Sequence, residues 1–260
     1  MSGENNPAAQ TIKGSRSMKD KKKPQSKAAS RWDKKTVAQI EALLSPGVVD
    51  FSLLKELTGV IATGAVEYCD LIAFPLGKFI IKAEMSHIDF SAAKWDPVVG
   101  IGRSSLSNCR FVGASIQSQI SSNHIDCDFS KCKFRSCGFS PKTRFENCRF
   151  DNAKFTGCTL YSCHFVNCSF VKSSISTTEF DECVFDNCDF TNTSFYDNSM
   201  GGCLIQNSPH NIEFLVPSTQ ERIMGIFDQS LPVVDFGKTN MTNAVFGTNS
   251  TSKIIDAKND

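Results

Sequence analysis

Cysteine and histidine are the residues of this 260-residue chain that could do chemistry, and the chain has 12 Cys and 4 His. Cysteines in this number usually form disulfides or bind a metal. Zinc sites prefer closely spaced ligands such as Cys-x2-Cys, whereas most of these cysteines recur at intervals of five without a histidine partner. A nucleophilic cysteine needs an exposed thiolate beside a base. We therefore expect no catalytic residue, no metal site and no cofactor, and we predict that the protein is not an enzyme.

Three local features have both a chemical and a structural interpretation. Cys69 has the weakest repeat context, so it is the one thiol that could be reactive, although a small core residue is favoured there. His164 lies between Cys163 and Phe165, and its side chain should point outward if theirs point inward. The segment Gly100-Ile101-Gly102 lacks the third glycine of a dinucleotide-binding loop and is predicted to be a turn.

The strongest pattern is a period of five residues. Steps of five from Phe129, with one extra residue near Pro141, give fifteen large apolar positions, of which twelve are Phe. The residue two places before each position is small, and it is Cys nine times. A period of five fits neither an α-helix nor a simple strand. The phenylalanines are Phe129, Phe134, Phe139, Phe145, Phe150, Phe155, Phe165, Phe170, Phe180, Phe185, Phe190 and Phe195.

This unit resembles the pentapeptide-repeat family, whose consensus is Ala-(Asp/Asn)-Leu-x-x. Cys largely replaces Ala and Phe replaces Leu, as in Cys127-Asp128-Phe129 and Cys188-Asp189-Phe190, and Cys69-Asp70-Leu71 also matches. The resemblance is strong over roughly half of the chain. It implies a mainly β fold, a right-handed quadrilateral β-helix (solenoid) with about twenty residues per turn, in which both repeat residues point inward.

The physics of extended chains agrees with that implication. Residues two apart share a face, so the large and the small member of each unit can both point inward, and Ser, Asn, Asp and Gly supply the corners. One turn later the same face recurs at roughly 4.8 Å. Cysteines in such a column would lie within disulfide reach, but packing as small buried residues is favoured. The predicted core contains the twelve phenylalanines, including the column Phe129, Phe150, Phe170 and Phe190, and beside that column Cys127, Cys148, Cys168 and Cys188.

The segments that flank the repeat set the predicted boundaries. Asp33 is expected to cap a helix over 34–45, and a second helix is predicted to include Leu53 and Ile61. Residues 117–126 are out of step and predict a bulged or looped face, and Ser218 and Glu221 have capping-box spacing for a helix that opens at Pro217. The predicted segments are 1–32, a disordered basic tail; 33–79, a helical cap; 80–208, the repeat β-helix; 209–232, an inserted helix; 233–250, a final coil; and 251–260, a tail.

Charge divides the chain into regions. Residues 11–35 contain ten basic and two acidic residues, so this tail could bind nucleic acid or an anionic membrane, or could simply keep the protein soluble. A basic stretch over 131–154 is followed by an acidic section over 179–197, and this segregation suggests a polar binding surface. The candidate tail residues are Lys19, Lys21, Lys22, Lys23 and Lys27, and the candidate partner-binding residues are Glu179, Asp181, Glu182, Asp186, Asp189 and Asp197.

A rigid surface without catalytic chemistry favours a non-catalytic protein-binding rod. Members of the family that this chain resembles protect DNA gyrase from quinolones and from peptide toxins and are viewed as mimics of duplex DNA. The resemblance therefore makes a DNA topoisomerase, modulated or protected by the rod, one candidate partner. This coil departs from broad mimicry because residues 85–210 contain twelve acids and eleven bases. The alternative is a nucleic-acid- or membrane-associated protein tethered by its basic tail.

Location and assembly are less constrained by the sequence. The first thirty residues lack the apolar core of a secretory leader. The segment Gly59–Ile81 contains Glu67, Asp70 and Lys78, which favours a buried segment over a membrane span. A cytoplasmic location is expected, since cysteines stay reduced there. The sequence does not decide the oligomeric state, and a homodimer is left open.

Overall fold

Two short helices open the folded chain. The computed structural model describes residues 31–44, 46–196, 198–201 and 203–206, and short strands between 212 and 255. The helices are α1 (Lys34–Leu43) and α2 (Phe51–Thr58). Asp33 caps α1 by accepting hydrogen bonds from the backbone N–H groups of Lys35 and Thr36, so this predicted helix start is confirmed. Hydrogen bonds from Thr36 also lower the pKa of the Asp33 carboxyl.

The second helix ends earlier than the sequence predicts. Gly59 has a φ of 75°, and its N–H bonds the carbonyl of Lys55. A left-handed residue at this place stops a helix, and glycine adopts that conformation at little cost. The prediction that Ile61 belongs to α2 is therefore wrong, because Ile61 lies in a strand.

The rest of the described chain is made of short strands. In chain order they are β1 (Gly47–Val48), β2 (Val60–Thr63), β3 (Val66–Asp70), β4 (Phe79–Ile81), β5 (Ala83–Ser86), β6 (Ile88–Asp89), β7 (Lys94–Trp95), β8 (Gly100–Ser107), β9 (Ser115–Ile116), β10 (Gln119–Ile125), β11 (Lys133–Arg135), β12 (Gly138–Phe139), β13 (Arg144–Glu146), β14 (Lys154–Thr156), β15 (Thr159–Tyr161), β16 (His164–Val166), β17 (Ser174–Ser176), β18 (Glu179–Asp181), β19 (Val184–Asp186), β20 (Thr193–Tyr196), β21 (Ser199–Gly201), β22 (Leu204–Gln206), β23 (Ile212–Leu215), β24 (Val233–Asp235), β25 (Val245–Phe246) and β26 (Lys253–Ile255). β2 and β3 form an antiparallel hairpin. The other pairings between described strands are parallel. The chain is thus a mainly β, parallel solenoid of about seven coils, as predicted.

Each coil has four sides, and each side places one large residue in the core. Face one contains the inward column Met85, Leu106, His124, Phe145, Phe165, Phe185 and Ile205. Face two contains Phe90, Phe111, Phe129, Phe150, Phe170 and Phe190. Face three contains Trp95, Ile116, Phe134, Phe155, Ile175 and Phe195. Face four contains Ile80, Ile101, Ile120, Phe139, Leu160, Phe180 and Met200. The hand of the coil stays a prediction.

Stacked rings fill the centre of this coil. On face two, neighbouring phenylalanine rings lie with centroids 4.7–5.3 Å apart and nearly parallel planes. That distance matches the spacing of roughly 4.8 Å between hydrogen-bonded strands. The column therefore lets each ring stack on the next while the backbone ladder stays intact.

The corners of the coil use left-handed backbone, mostly at residues other than glycine. Asn147, Asn167 and Asn187 have φ values of 52–53° and occupy the same corner in successive coils. Asn tolerates this conformation better than most residues. The amide of Asn167 donates to Asn147 at 3.1 Å, and that of Asn187 donates to Asn167 at 2.9 Å. A ladder of side-chain hydrogen bonds thus runs along this edge.

Two long strands carry the chain from face four to face one. β8 and β10 contribute to both faces, and their register shifts between Ser121 and Asn123, which confirms the bulge predicted over 117–126. The prediction of a turn at Gly100-Ile101-Gly102 is wrong, because this segment begins β8 and buries Ile101. A Cβ at Gly100 or Gly102 would lie 3.2 or 2.7 Å from the ring of Phe79. The glycines let that ring lie against the strand.

The ends of the chain differ from the predicted segments. Only 34–43 and 51–58 of the proposed helical cap (33–79) are helical, since β2 and β3 form a hairpin there. Ile40, Leu44 and Leu54 are buried in the same core as the first residues of the coil. Trp32, placed by the sequence in the disordered tail, packs edge-on against Phe74 at 5.3 Å.

The C-terminal segments are described only in part. Ile212–Leu215 is a strand paired with β20, so the segment 209–232 is not helical at these residues. The helix predicted to open at Pro217 lies outside the described residues. Lys253–Ile255 pairs with β24, so the predicted tail over 251–260 contains a strand.

Candidate interaction surface

The cysteines line the inside of the coil next to the aromatic columns. All twelve are free and buried. Most of their thiols donate to backbone carbonyls of the preceding coil, as Cys132 does to Phe111 at 3.1 Å and Cys137 to Ile116 at 3.0 Å. Cys127, Cys148, Cys168 and Cys188 are at most 2% exposed. Burial raises the pKa of Cys69 to about 11, which disfavours a reactive thiolate there.

Burial also affects the ionisation of the stacked thiols. It raises the pKa of Cys109 and Cys148. None of these sulfurs is accessible to a substrate, since their residues are buried. His164 is exposed, as predicted from its place between Cys163 and Phe165. Among the described residues, no group of three or more His, Cys, Asp or Glu side chains could hold a metal ion.

His124 is a core residue that sequence reasoning missed. Its ring stacks on Phe145 at 4.7 Å and 6° and meets Phe129 edge-on at 5.3 Å. Neither ring nitrogen has a hydrogen-bond partner, and the same holds for Nε1 of Trp95. Both residues line a cavity of about 20 Å³ inside the coil. The spacing of 21 residues from His124 to Phe145, identical to that from Phe129 to Phe150, is the signal that could have identified it.

A buried ion pair fastens the hairpin to the coil. Asp89 is 1% exposed, and its carboxylate accepts from the Arg110 guanidinium at 3.0 Å and from the N–H of Ser91 at 2.9 Å. Arg110 also donates to the hydroxyl of Thr63 at 3.1 Å, and it covers the ring of Tyr68 at 5.4 Å. Arg110 thereby connects β2 and β3 to the first coils, which is a structural role.

The acidic candidates surround one corner of the coil rather than forming a stripe along it. Glu179 and Asp181 are exposed on face four. Glu182 is exposed at the next corner, where its carboxylate accepts from Ser162 at 3.0 Å. Asp186 follows on face one and is half-buried. We call these four residues the acidic corner.

Two of the predicted acidic residues do not belong to the acidic corner. The carboxylate of Asp189 accepts from the N–H and the hydroxyl of Thr191, at 2.9 and 2.6 Å, and so holds a turn. Asp197 lies outside the described residues, as do the tail candidates Lys19, Lys21, Lys22, Lys23 and Lys27.

An exposed aromatic residue adjoins the acidic corner. Tyr161 is 42% exposed and lies directly beside Asp181 in the parallel ladder. Exposed tyrosines often anchor protein interfaces because they combine a large apolar ring with a hydroxyl. Sequence reasoning missed Tyr161, since only the coil places it twenty residues away from Asp181 on the same face.

Part of the repeat matches a known protein family. The family model described as the pentapeptide repeat region matches residues 141–211. Residues 141–211 are thus a pentapeptide repeat region. Coils formed by residues outside that match, such as the coil from Ile80 to Trp95, have the same four-sided architecture.

Two solved protein structures illustrate the similarity. Full-length QnrB1, described as a plasmid-mediated fluoroquinolone resistance protein, aligns with a TM-score of 0.29 and 17% identity, covering 70% of this chain and 87% of its own. Rfr23, a pentapeptide repeat protein from the cyanobacterium Cyanothece 51142, aligns with a TM-score of 0.30 and 8% identity, covering 49% of this chain and 88% of its own. No curated protein matches the chain. Similarity at this level carries no information on partner or activity.

Proposed function

We propose that this protein is a non-catalytic, rigid binding surface whose protein partner contacts the acidic corner. The observation that carries the proposal is the charge of the coils that bear it. Residues 173–206 contain six acids and neither Lys nor Arg, so these coils present an unbalanced negative field to a partner.

Rigidity supports a binding role. β18 and β19 are each hydrogen-bonded to strands on both sides, and the residues at their centres, Phe180 and Phe185, are buried. A side chain on such a ladder has a fixed origin, so less conformational entropy is lost when a partner binds. The acidic corner and Tyr161 are therefore suited to a partner with a basic surface and a pocket for an aromatic ring.

A DNA topoisomerase is the partner class that the family resemblance suggests. The test is a supercoiling assay with DNA gyrase, with and without a quinolone, in the presence of the full chain. We expect the chain to change supercoiling or its inhibition, and the Glu179→Gln, Asp181→Asn, Glu182→Gln variant to lose that effect. If the chain has no effect and does not bind the enzyme, the topoisomerase assignment is wrong. If the enzyme is affected equally by chain and variant, the acidic corner is not the contact.

A second candidate function is association with nucleic acid or an anionic membrane through the basic tail. One observation bears on it: Arg31 pairs with Asp70, and Nε1 of Trp32 donates to the carbonyl of Ile72 at 3.2 Å. The tail is thus attached to the coil at a defined place. Its removal should stop at residue 30, because loss of Arg31 and Trp32 would remove packing contacts as well as charge.

The proposed location is the cytoplasm, where the twelve thiols would remain reduced. Within the described part of the chain, no helix is long and apolar enough to cross a membrane. A count of free thiols in the purified protein, made after denaturation without reductant, tests the location proposal. Twelve reactive thiols are expected, and a smaller number would contradict a reducing compartment.

A further inference from the structure

Only the structure shows which basic residues of the coil pair with acids. Arg144 pairs with Glu146 at 3.2 Å, and Arg149 pairs with Asp151 at 3.0 Å. In contrast, Lys94, Lys131, Lys133, Arg135, Lys154 and Lys172 are exposed and take part in none of the ion pairs found among the described residues.

These six residues lie on one side of the solenoid, whereas Lys82, Arg103 and Lys142, which also take part in none of these ion pairs, lie between faces four and one. Lys133 and Lys154 are direct neighbours in the face-three ladder, and Lys94 and Lys133 flank Ser115 in the same row. Arg135 follows Lys133 on β11, and Lys131 and Lys172 occupy the corner that leads into this face. We call the six residues the basic face. Asp96 is the one acidic residue that joins them at the edge of the depression described next.

A depression opens in the basic face where one coil has neither Lys nor Arg in its lining. It has a volume of about 320 Å³, and its lining includes Gly113, Ser115, Lys94, Lys133 and Arg135. Lys94 and Lys133 are two coils apart, so their backbones are separated by about 9.6 Å. Two ammonium groups, a guanidinium and a serine hydroxyl therefore border a space in which an anion can accept several hydrogen bonds at once.

The arrangement costs stability in the free protein. Like charges directly opposite one another on neighbouring strands repel, as Lys133 and Lys154 do here. An anionic ligand on the basic face would remove that repulsion and gain charge-assisted hydrogen bonds. A row of four positions from Lys94 to Lys154 extends for about 14 Å along the coil, which suits a repeating anion better than a single one.

We propose that the basic face binds the phosphate backbone of a nucleic-acid duplex. The outward rows of face three in this region contain Ser115, Gln117, Lys133, Arg135 and Lys154 and no apolar side chain that could enter a membrane. Between Lys94 and Thr156, these rows contain no exposed aromatic residue on which an unpaired base could stack. Binding is therefore to duplex phosphates and independent of base sequence.

The attachment of the tail supports the same partner. Arg31 and Trp32 contact Asp70 and Ile72, and the N–H of the next residue, Ala73, bonds the carbonyl of Ser91. Ser91 lies at the corner from which face three starts. Arg31 and Trp32 thus join the coil next to the corner from which the basic face starts.

The test compares two variants of the full chain with the same loss of charge. One is Lys94→Gln, Lys133→Gln, Lys154→Gln, on the basic face. The matched control is Lys142→Gln, Arg144→Gln, Arg149→Gln, away from it. Binding of a short DNA duplex of arbitrary sequence is measured by fluorescence anisotropy at several salt concentrations, and circular dichroism checks the fold of each variant.

We expect the basic-face variant to bind on the order of a hundredfold more weakly at physiological salt, because each lost phosphate contact removes about 0.9 from the slope of log K against log salt. Its slope should fall by about 2.7 relative to the unmodified chain, with the control nearly unchanged. If the basic-face variant fails to fold, serine replaces glutamine at the three positions, since Ser115 and Ser174 already occupy this row.

Four outcomes would overturn the proposal. The unmodified chain could fail to bind the duplex, or the two variants could lose affinity equally, which would make net charge the cause. Removal of residues 1–30 could abolish binding that the basic-face variant retains. Vesicles rich in phosphatidylserine could bind the basic face while the duplex does not.

Discussion

Phe170 lies at the centre of the ring column of face two. It is 1% exposed and stacks between Phe150 and Phe190 at 4.9 and 5.1 Å. Its replacement by alanine should lower the free energy of unfolding by about 3–5 kcal/mol, because the stacked neighbours cannot close the cavity. Denaturant melts measure this loss, with Ser174→Ala on the outside of the next strand as control. A loss below about 1 kcal/mol would show that Phe170 is not a core residue.

His124 interrupts an aromatic column with a polar ring. Its two nitrogens are buried without hydrogen-bond partners, and a small cavity adjoins the ring. His124→Phe should therefore raise the free energy of unfolding by about 1–3 kcal/mol, since it removes unsatisfied polar atoms and keeps the stack on Phe145. Thermal melts of the variant and the unmodified chain measure the change. A decrease in melting temperature would indicate that His124 makes a polar contact that stabilises the fold.

Cys168 occupies a slot that an alanine can fill. Ala153 takes the equivalent inward position of another repeat unit and is fully buried. Cys168→Ala should cost less than about 1.5 kcal/mol, because only a small sulfur and its weak hydrogen bonds are lost. Cys168→Leu should cost more, about 1–3 kcal/mol, since the added carbons overpack the wall. Equal melting temperatures for the two variants would contradict an inward side chain.

At the scale of elements, Arg110 helps to hold the hairpin β2–β3 to the coil, in addition to the pairing of β3 with β6. Arg110→Ala leaves the carboxylate of Asp89 buried without its cation and should cost about 3–5 kcal/mol. The double variant Arg110→Ala, Asp89→Asn should recover part of that loss, because the buried charge is gone while an acceptor for Ser91 remains. Denaturant melts of the single and double variants measure both effects.

An exposed ion pair provides the comparison. Arg149 pairs with Asp151 but is mostly exposed, so Arg149→Ala should cost at most about 1 kcal/mol. If Arg110→Ala is as mild as Arg149→Ala, the buried pair does not fasten the hairpin.

The elements also show what the sequence could predict. The period of five predicted the coil because each Phe and each small residue satisfies the same packing requirement in every turn. It did not predict β8, because Gly100 and Gly102 indicate a turn by local chemistry alone. Glycine is needed at these positions because the ring of Phe79 packs against the strand. Phe79 is 21 residues from Gly100 and becomes adjacent only once the coil forms.

The candidate surfaces were predictable only as charges along the chain. The acidic section was visible in the sequence, but the exclusion of Asp189, whose carboxylate holds a turn, depends on hydrogen bonds. The inclusion of Tyr161 depends on the pairing of β15 with β18. Likewise, only the coil geometry shows that Lys133 and Lys154 are neighbours on face three, whereas Arg144 pairs with Glu146.

At the scale of the whole molecule, the coil presents opposite charges at different places. The basic face covers the coils from Lys94 to Lys172 on face three, whereas the acidic corner lies between faces four and one. The two surfaces therefore point in different directions, and a partner on one does not block the other. This geometry suits a scaffold that holds two ligands together.

The function of the acidic corner can be tested by charge reversal. The triple variant Asp181→Lys, Glu182→Lys, Asp186→Lys should associate with a basic protein partner about tenfold more slowly, or slower still. Electrostatic steering changes association rates by this order of magnitude. The effect should shrink as salt rises, because exposed charges are screened within about 8 Å at physiological ionic strength. Stopped-flow association rates with DNA gyrase, measured over a salt series, give the result.

The matched control reverses three acids elsewhere, Glu56→Lys, Glu84→Lys, Asp96→Lys, with an identical change in net charge. Its association rate should stay close to that of the unmodified chain, and removal of residues 1–30 should leave both rate and melting temperature unchanged. Steering by net charge alone would slow both triple variants alike. If charge reversal at the acidic corner has no effect while removal of residues 1–30 abolishes association, the tail is the binding element and the coil serves only to position it.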